Sequence, residues 1–95
     1  MRVIGYLEHP SLKITVFTTD TRFPVQFERG GYVQIYRFRK SDRLNGLADI
    51  KQLVDTDFCN AVAAELLRMQ QLEAKAWHRW EAKYGNDTED LPTII

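Results

Sequence analysis

Few residues of this chain have the type and spacing to do chemistry: the histidines His9 and His78, the single cysteine Cys59, and the carboxylates Glu65 and Glu73. A thiol nucleophile needs a base within hydrogen-bond reach. Cys59 and His78 fall nineteen positions apart in one predicted helix, which separates them by about 28 Å along the axis. Cys59 sits in the first turn of that helix, where the dipole favours a thiolate, but its place at the border of an apolar stripe makes a buried structural thiol the stronger expectation. His9 precedes Pro10 in a predicted turn and has no evident partner, and His78 lies opposite the apolar stripe. Glu73 is the most unusual carboxylate, since a helical wheel sets it among Leu66, Met69 and Trp80. The expectation is that it pairs with a basic side chain such as Arg37 or Arg39, or lies beyond the sheet in water. Glu65 lies two turns away, about 12 Å along the axis, too far to share acid and base roles with it. One cysteine and scattered histidines supply no convergent ligand set, and Arg29-Gly30-Gly31 lacks the spacing of a phosphate loop and joins strand to strand. The reading is therefore of no catalytic residue, no metal, no cofactor and no small-molecule ligand.

What remains is electrostatic. Arg37, Arg39, Lys40 and Arg43 cluster just beyond Tyr36, and Tyr32 and Phe38 are close by. Basic side chains that track phosphates beside aromatic faces are the usual way to hold single-stranded nucleic acid. Formal net charge is zero, which argues against strong phosphate binding, yet residues 1–43 hold eight Lys/Arg against four Asp/Glu and residues 44–95 hold five against nine. The preferred reading of that +4 against −4 split is a basic sheet facing an acidic helix, within the fold or across a dimer.

The elements that must position these groups follow from two periodicities. From Val3 to Lys40 apolar residues alternate, with Leu12, Ile14 and Val16 in one run and Phe23, Val25 and Phe27 in another. Turn signals separate the runs at His9-Pro10-Ser11, Thr19-Asp20-Thr21 and Gly30-Gly31, the last a two-residue hairpin in which both positions can take positive φ. Pro24 cannot donate to a ladder, so the third strand is expected to start at Val25. Two strands look apolar on both faces: Val3 and Leu7 oppose Ile4 and Tyr6, and Val33 and Ile35 oppose Tyr32, Tyr36 and Phe38. After Lys40 the period becomes helical, briefly over Leu47, Ile50, Leu53 and Val54, then from Asp57 to Tyr84 behind the cap Asp55-Thr56-Asp57. Its stripe is Phe58, Val62, Leu66, Met69, Ala76, Trp80 and Tyr84, with Trp77 on the border.

The fold class is thus α+β: a four-stranded antiparallel β-meander, a short helix and a long C-terminal amphipathic helix. Residues 1–85 form the single domain, and 86–95 form an acidic tail with an apolar tip at Leu91, Ile94 and Ile95, flexible or docking. Four strands followed by a long helix resembles the plan of the single-stranded-DNA-binding transcriptional coactivators and whirly proteins, whose members dimerise through related elements; no motif matches them residue by residue. A helix over residues 57–84 spans about 42 Å against about 23 Å for a seven-residue strand. Roughly half of it should overshoot the sheet, carrying Trp77, Trp80 and Tyr84, which are costly to leave wet. These three are the expected oligomer interface. At 44% hydrophobic and 27% charged the composition is globular, with no stretch long enough to cross a bilayer. The opening Met1-Arg2-Val3-Ile4-Gly5 enters a strand without a leader-like apolar core. With one free thiol, a cytoplasmic location is expected. The functional expectation is a small non-enzymatic protein-interaction module acting as a homodimer. The alternative is a single-stranded nucleic-acid-binding protein using Arg37, Arg39, Lys40, Arg43 and Tyr36.

Overall fold

Alternation makes the first forty residues a sheet, and the register of that sheet decides which side chains share a face. The structure is a computed structural model that describes residues 1–90, with side chains described through Tyr84. Strands β1 (Arg2–Leu7), β2 (Lys13–Thr18), β3 (Arg22–Arg29) and β4 (Tyr32–Arg39) form one antiparallel sheet in sequence order. Helices α1 (Leu47–Leu53) and α2 (Thr56–Asp90) follow. The expected α+β meander with a short and a long helix is the observed architecture. Gly30 and Gly31 turn the β3–β4 hairpin with φ of 58° and 86°, the left-handed pair that a two-residue loop between right-twisted strands requires.

Two sequence expectations about the strands are corrected. Pro24 lies inside β3, a central strand, and is buried. The β2–β3 register ends at Val16↔Val25, whereas β3–β4 pairing continues through Pro24↔Arg37 to Arg22↔Arg39. The missing N–H therefore falls on the side where the ladder has already stopped, which is how an inner strand tolerates proline. In β1 the register shifts between Val3↔Phe17 and Gly5↔Val16, leaving Ile4 as the extra residue of a bulge. A bulge inserts one residue and breaks the period of two. Val3 and Tyr6 are consequently exposed, while Ile4 and Leu7 pack on the core, so the expected grouping of Val3 with Leu7 does not occur. A Cβ at Gly5 would stand 2.6 Å from Cδ2 of Leu47, so a larger residue there requires the leucine side chain to shift.

One sheet face is covered by the helices. Leu12, Ile14, Val16, Phe23, Val25 and Phe27 meet Ile50, Val54, Cys59, Val62 and Leu66 in a single buried core. Aromatic rings close its β4 side: Phe58 packs edge-on to Tyr36 at 5.1 Å and lies 5.7 Å from Phe27 between centroids. Asp55 caps α2, its Oδ1 accepting the Phe58 N–H at 2.9 Å, a bond that satisfies one of the orphan donors of the first turn. Because Phe58 sits beside Tyr36 and Phe38, and Met69 accepts from Gln34, α2 runs antiparallel to β4 and departs at the Gly30-Gly31 hairpin.

The helix also runs further than its sequence punctuation implied. It continues past Gly85 to Asp90, so residues 86–90 extend it, and the apolar tip lies outside the described residues. A single glycine costs a helix only about 1 kcal/mol relative to alanine, so Gly85 does not end it. Thirty-five residues make about 52 Å of helix, and the molecule extends 68 Å along its longest axis with a radius of gyration of 19.9 Å. A compact chain of this length would have a radius near 12 Å. No described helix is long and apolar enough to cross a membrane.

Candidate functional site: a projecting aromatic ridge

Where α2 leaves the sheet it is hooked. The Tyr32 hydroxyl, at the start of β4, donates to Glu73 Oε1, and Trp77 Nε1 donates to Glu73 Oε2 at 3.2 Å. These bonds hold the Glu73 carboxyl below the usual carboxylate range, and the same bond, helped by desolvation and the carboxylate charge, raises the Tyr32 phenol. Of the two expectations for Glu73, pairing with Arg37 or Arg39 does not form, because strand alternation turns those arginines to the opposite side of the sheet, whereas the exposed position where α2 leaves the sheet is observed. From Gln70 to Tyr84 every residue of α2 is exposed.

Along that exposed stretch the apolar stripe does not stop. Trp77 packs edge-on to Trp80 at 5.7 Å, and Trp80 tilts onto Tyr84 at 4.6 Å. Lys83 Nζ stands 5.8 Å from the Tyr84 ring centroid, a cation–π distance. The three rings stay 54%, 53% and 47% exposed even so. Beside them Ala76, Trp77 and Trp80 line an apolar notch of about 400 Å³, concave because alanine is the smallest side chain of the row. The structure brings Trp77, Trp80 and Tyr84 together as one ridge.

The basic cluster is divided. Tyr36 faces the helices, its hydroxyl donating to Gln34 Oε1 at 2.8 Å and its ring meeting Phe27 and Phe58. Arg37 and Arg39 are exposed on the other face. Lys40 Nζ stands 4.9 Å over the Phe23 ring, and Arg43 is exposed in the following turn. Register places further groups on the open face with the two arginines: Arg22 opposite Arg39, Pro24 opposite Arg37, and Phe17, paired with Val3, on the adjoining strand. Tyr6, 62% exposed, lies one row on, across from Thr15 and through it Gln26 and Ile35. Reading β4 alone missed Arg22, Phe17 and Tyr6; pairing Arg22 with Arg39 across the Gly-Gly hairpin is the signal that finds them. Among the described residues the ion pair present is Arg68 with Glu65, 3.6 Å apart within α2. The basic sheet therefore does not face an acidic helix within one chain, because the face that meets the helices is apolar.

His9 and Cys59 come to a common place after all. An open cleft of about 570 Å³ lies between the end of β1 and the α1–α2 junction, with His9, Lys51, Asp55 and Cys59 among its walls. Its chemistry is limited by hydrogen bonding. The Ser11 N–H donates to His9 Nδ1 at 3.1 Å, which in the neutral ring leaves the proton on Nε2 to be donated to Asn60 Oδ1 at 3.0 Å. Nδ1 thus braces the β1–β2 loop from within and Nε2 ties that loop to α2. Burial, with the Asp55 charge added, pushes the Cys59 thiol up, opposite to what a nucleophile needs. His78 is exposed on the projecting part of α2. Among the described residues no three His, Cys, Asp or Glu side chains gather as a metal site. Comparison with known proteins gives no match, neither to a protein-family model nor to a curated protein nor to a solved structure.

Proposed function

We propose that this chain is a small non-enzymatic protein-interaction module that acts as a homodimer, with the sheet and the first half of α2 as a folded platform and the second half of α2 as the contact element. The observation that carries this reading is the ridge of Trp77, Trp80 and Tyr84, half exposed on a helix that has already left its own sheet. Aromatic residues at the centre of a contact supply most of its energy, and large apolar side chains grouped on a surface mark an interaction site. The engaged state of His9 and the raised thiol of Cys59 support a structural role for both. A free, buried cysteine suits a reducing, cytoplasmic setting. Light scattering after gel filtration tests the proposal: a species of twice 11.1 kDa is expected at micromolar concentration, and an 11.1 kDa species up to 100 μM (about the weakest affinity of a useful homodimer) would overturn it.

A second reading is favoured by one observation. Arg22, Arg37 and Arg39 share a sheet face with Phe17 and Tyr6, and none of the three has an ion-pair partner among the described residues. That face suits single-stranded nucleic acid, phosphates on the arginines and a base on an aromatic ring. Fluorescence anisotropy with a labelled oligonucleotide should then give binding that weakens steeply with salt and is lost in the Arg37→Ala/Arg39→Ala variant. Absence of binding at low salt removes this reading.

A further inference from the structure

On the open sheet face two arginines stand directly opposite each other. The Lys40 N–H donates to the Thr21 carbonyl at 3.0 Å, a hydrogen-bonded step of the β3–β4 ladder. The adjoining step, Arg22↔Arg39, is therefore a non-hydrogen-bonded pair, whose Cα atoms approach to about 4.5 Å. Like charges placed there destabilise a sheet. Arg37 follows on the same face of β4, diagonal to Arg22 at about 7–8 Å. Beyond a 3.5 Å bond from Arg22 Nη1 to the Thr21 carbonyl, the three guanidiniums have no hydrogen-bond or ion-pair partner among the described residues. Glu28, the strand carboxylate on their face, lies six residues along β3 from Arg22, about 20 Å away, and is opposite Lys13. Asp20, in the β2–β3 turn, is not within ion-pair distance of them. We infer that Arg22, Arg37 and Arg39 form one receptor for the terminal phosphate of a single-stranded nucleic acid, with the first base lying on Phe17.

The distribution of charge along the face selects a strand end over an internal stretch. All three arginines lie in the two rows nearest the β2–β3 turn. The next row, Tyr6, Thr15, Gln26 and Ile35, is uncharged, and in the row after it Lys13 and Glu28 cancel. A strand held by its internal phosphodiesters, one charge each, needs cations repeated along its path. A terminal phosphate instead gathers about −1.5 to −2 charges and three acceptor oxygens in one group. A guanidinium meets such oxygens in paired, parallel bonds. Three clustered forks match that single group better than a line of separate charges.

The same rows supply the stacking surface. Val16↔Val25 is the last β2–β3 pair, and one step further the register brings Phe17 beside Pro24, which pairs with Arg37 on its other side. Phe17 is half-buried and two strands, about 10 Å, from Arg37, a gap that the arginine side chain and one nucleotide close together. The Phe17 ring takes the terminal base, and Tyr6, one row on and 62% exposed, takes the base after it. The strand then runs away from the arginines with its later phosphates in water, which the uncharged and balanced rows permit.

This inference rests on the nucleic-acid reading of the open face, and the chemistry of the strand ends separates the two. Fluorescence anisotropy is measured with short single strands of one sequence, labelled on an internal base and ending in a 5′ phosphate, a 3′ phosphate or hydroxyls at both ends. One of the two phosphorylated strands should bind at least about tenfold more tightly than the hydroxyl-ended strand, as expected for hydrogen bonds to a charged group. Arg22→Gln and Arg39→Gln should each abolish that preference with circular dichroism unchanged. Lys13→Gln removes the same charge from the far end of the face and should keep it. Equal affinity for all three strands, or a preference that survives both arginine substitutions, overturns the terminal-phosphate receptor and leaves the open-face reading standing. No binding of any strand at low salt overturns both.

Discussion

The two halves of α2 carry the same apolar stripe and meet opposite fates. Over Phe58–Met69 the stripe is closed by β3 and β4, and Cys59, Val62 and Leu66 are buried. Beyond Glu73 the same row is exposed, with Trp77 packed on Trp80 and Trp80 on Tyr84 along the helix. The difference teaches that a helical periodicity states that a face will be buried without stating what buries it. Length makes the distinction: eight residues of β4 supply about 26 Å of surface, and α2 is about twice as long.

The comparison breaks first at Leu66. Leu66→Ala removes a fully buried side chain from the sheet-packed half and should destabilise the fold by about 2–5 kcal/mol, read as a lower urea midpoint. Trp80→Ala in the projecting half should leave that midpoint nearly unchanged at concentrations where the chain is monomeric, while weakening self-association by about 2 kcal/mol, read by sedimentation. An equal loss of fold stability from both substitutions would mean that the two halves are not different in kind.

Smaller effects sharpen where the boundary lies. Gly5→Ala would place a Cβ 2.6 Å from Leu47 Cδ2; the leucine must move, at a cost of about 1–2 kcal/mol in thermal or urea unfolding, without any change in association. The smallest change is expected from Tyr32→Phe, which removes the donor that hooks α2 as it leaves the sheet. Glu73 has a folded pKa below its unfolded value, so its contribution to stability is present above the ordinary carboxylate range and is lost as pH falls through the depressed value. Tyr32→Phe should raise the Glu73 pKa, flatten that acid limb, and be visible in an NMR titration of the Glu73 side chain. An unchanged titration would show that the hook does not hold the carboxylate in solution.

Much of this was legible in the chain. Alternation around Ile14 and Phe27, two glycines free to take positive φ, and Asp55 before a helical run each report local physics, and the four strands and two helices formed in the order read. The misreadings were not local. Pro24 was placed outside its strand because its tolerance depends on where the β2–β3 ladder ends. Val3 was grouped with Leu7 because one bulge residue in β1 cannot be seen without its partner strand. The basic cluster looked unified along β4, yet alternation sets Tyr36 against Arg37 and Arg39, and register adds Arg22 and Phe17 from strands distant in sequence.

The sequence by itself determined the elements, their order, and the presence of an apolar row along α2 too long for one short sheet to cover, because period, turn chemistry and rise per residue are properties of neighbouring residues. Only the tertiary structure decided which half of that row is covered, that Glu73 answers to Tyr32 and Trp77 and not to an arginine, and that His9 and Cys59 share a cleft with both ring nitrogens of His9 engaged. Those outcomes depend on strand register and on where a helix leaves its sheet, and both are set by contacts between residues far apart in the chain.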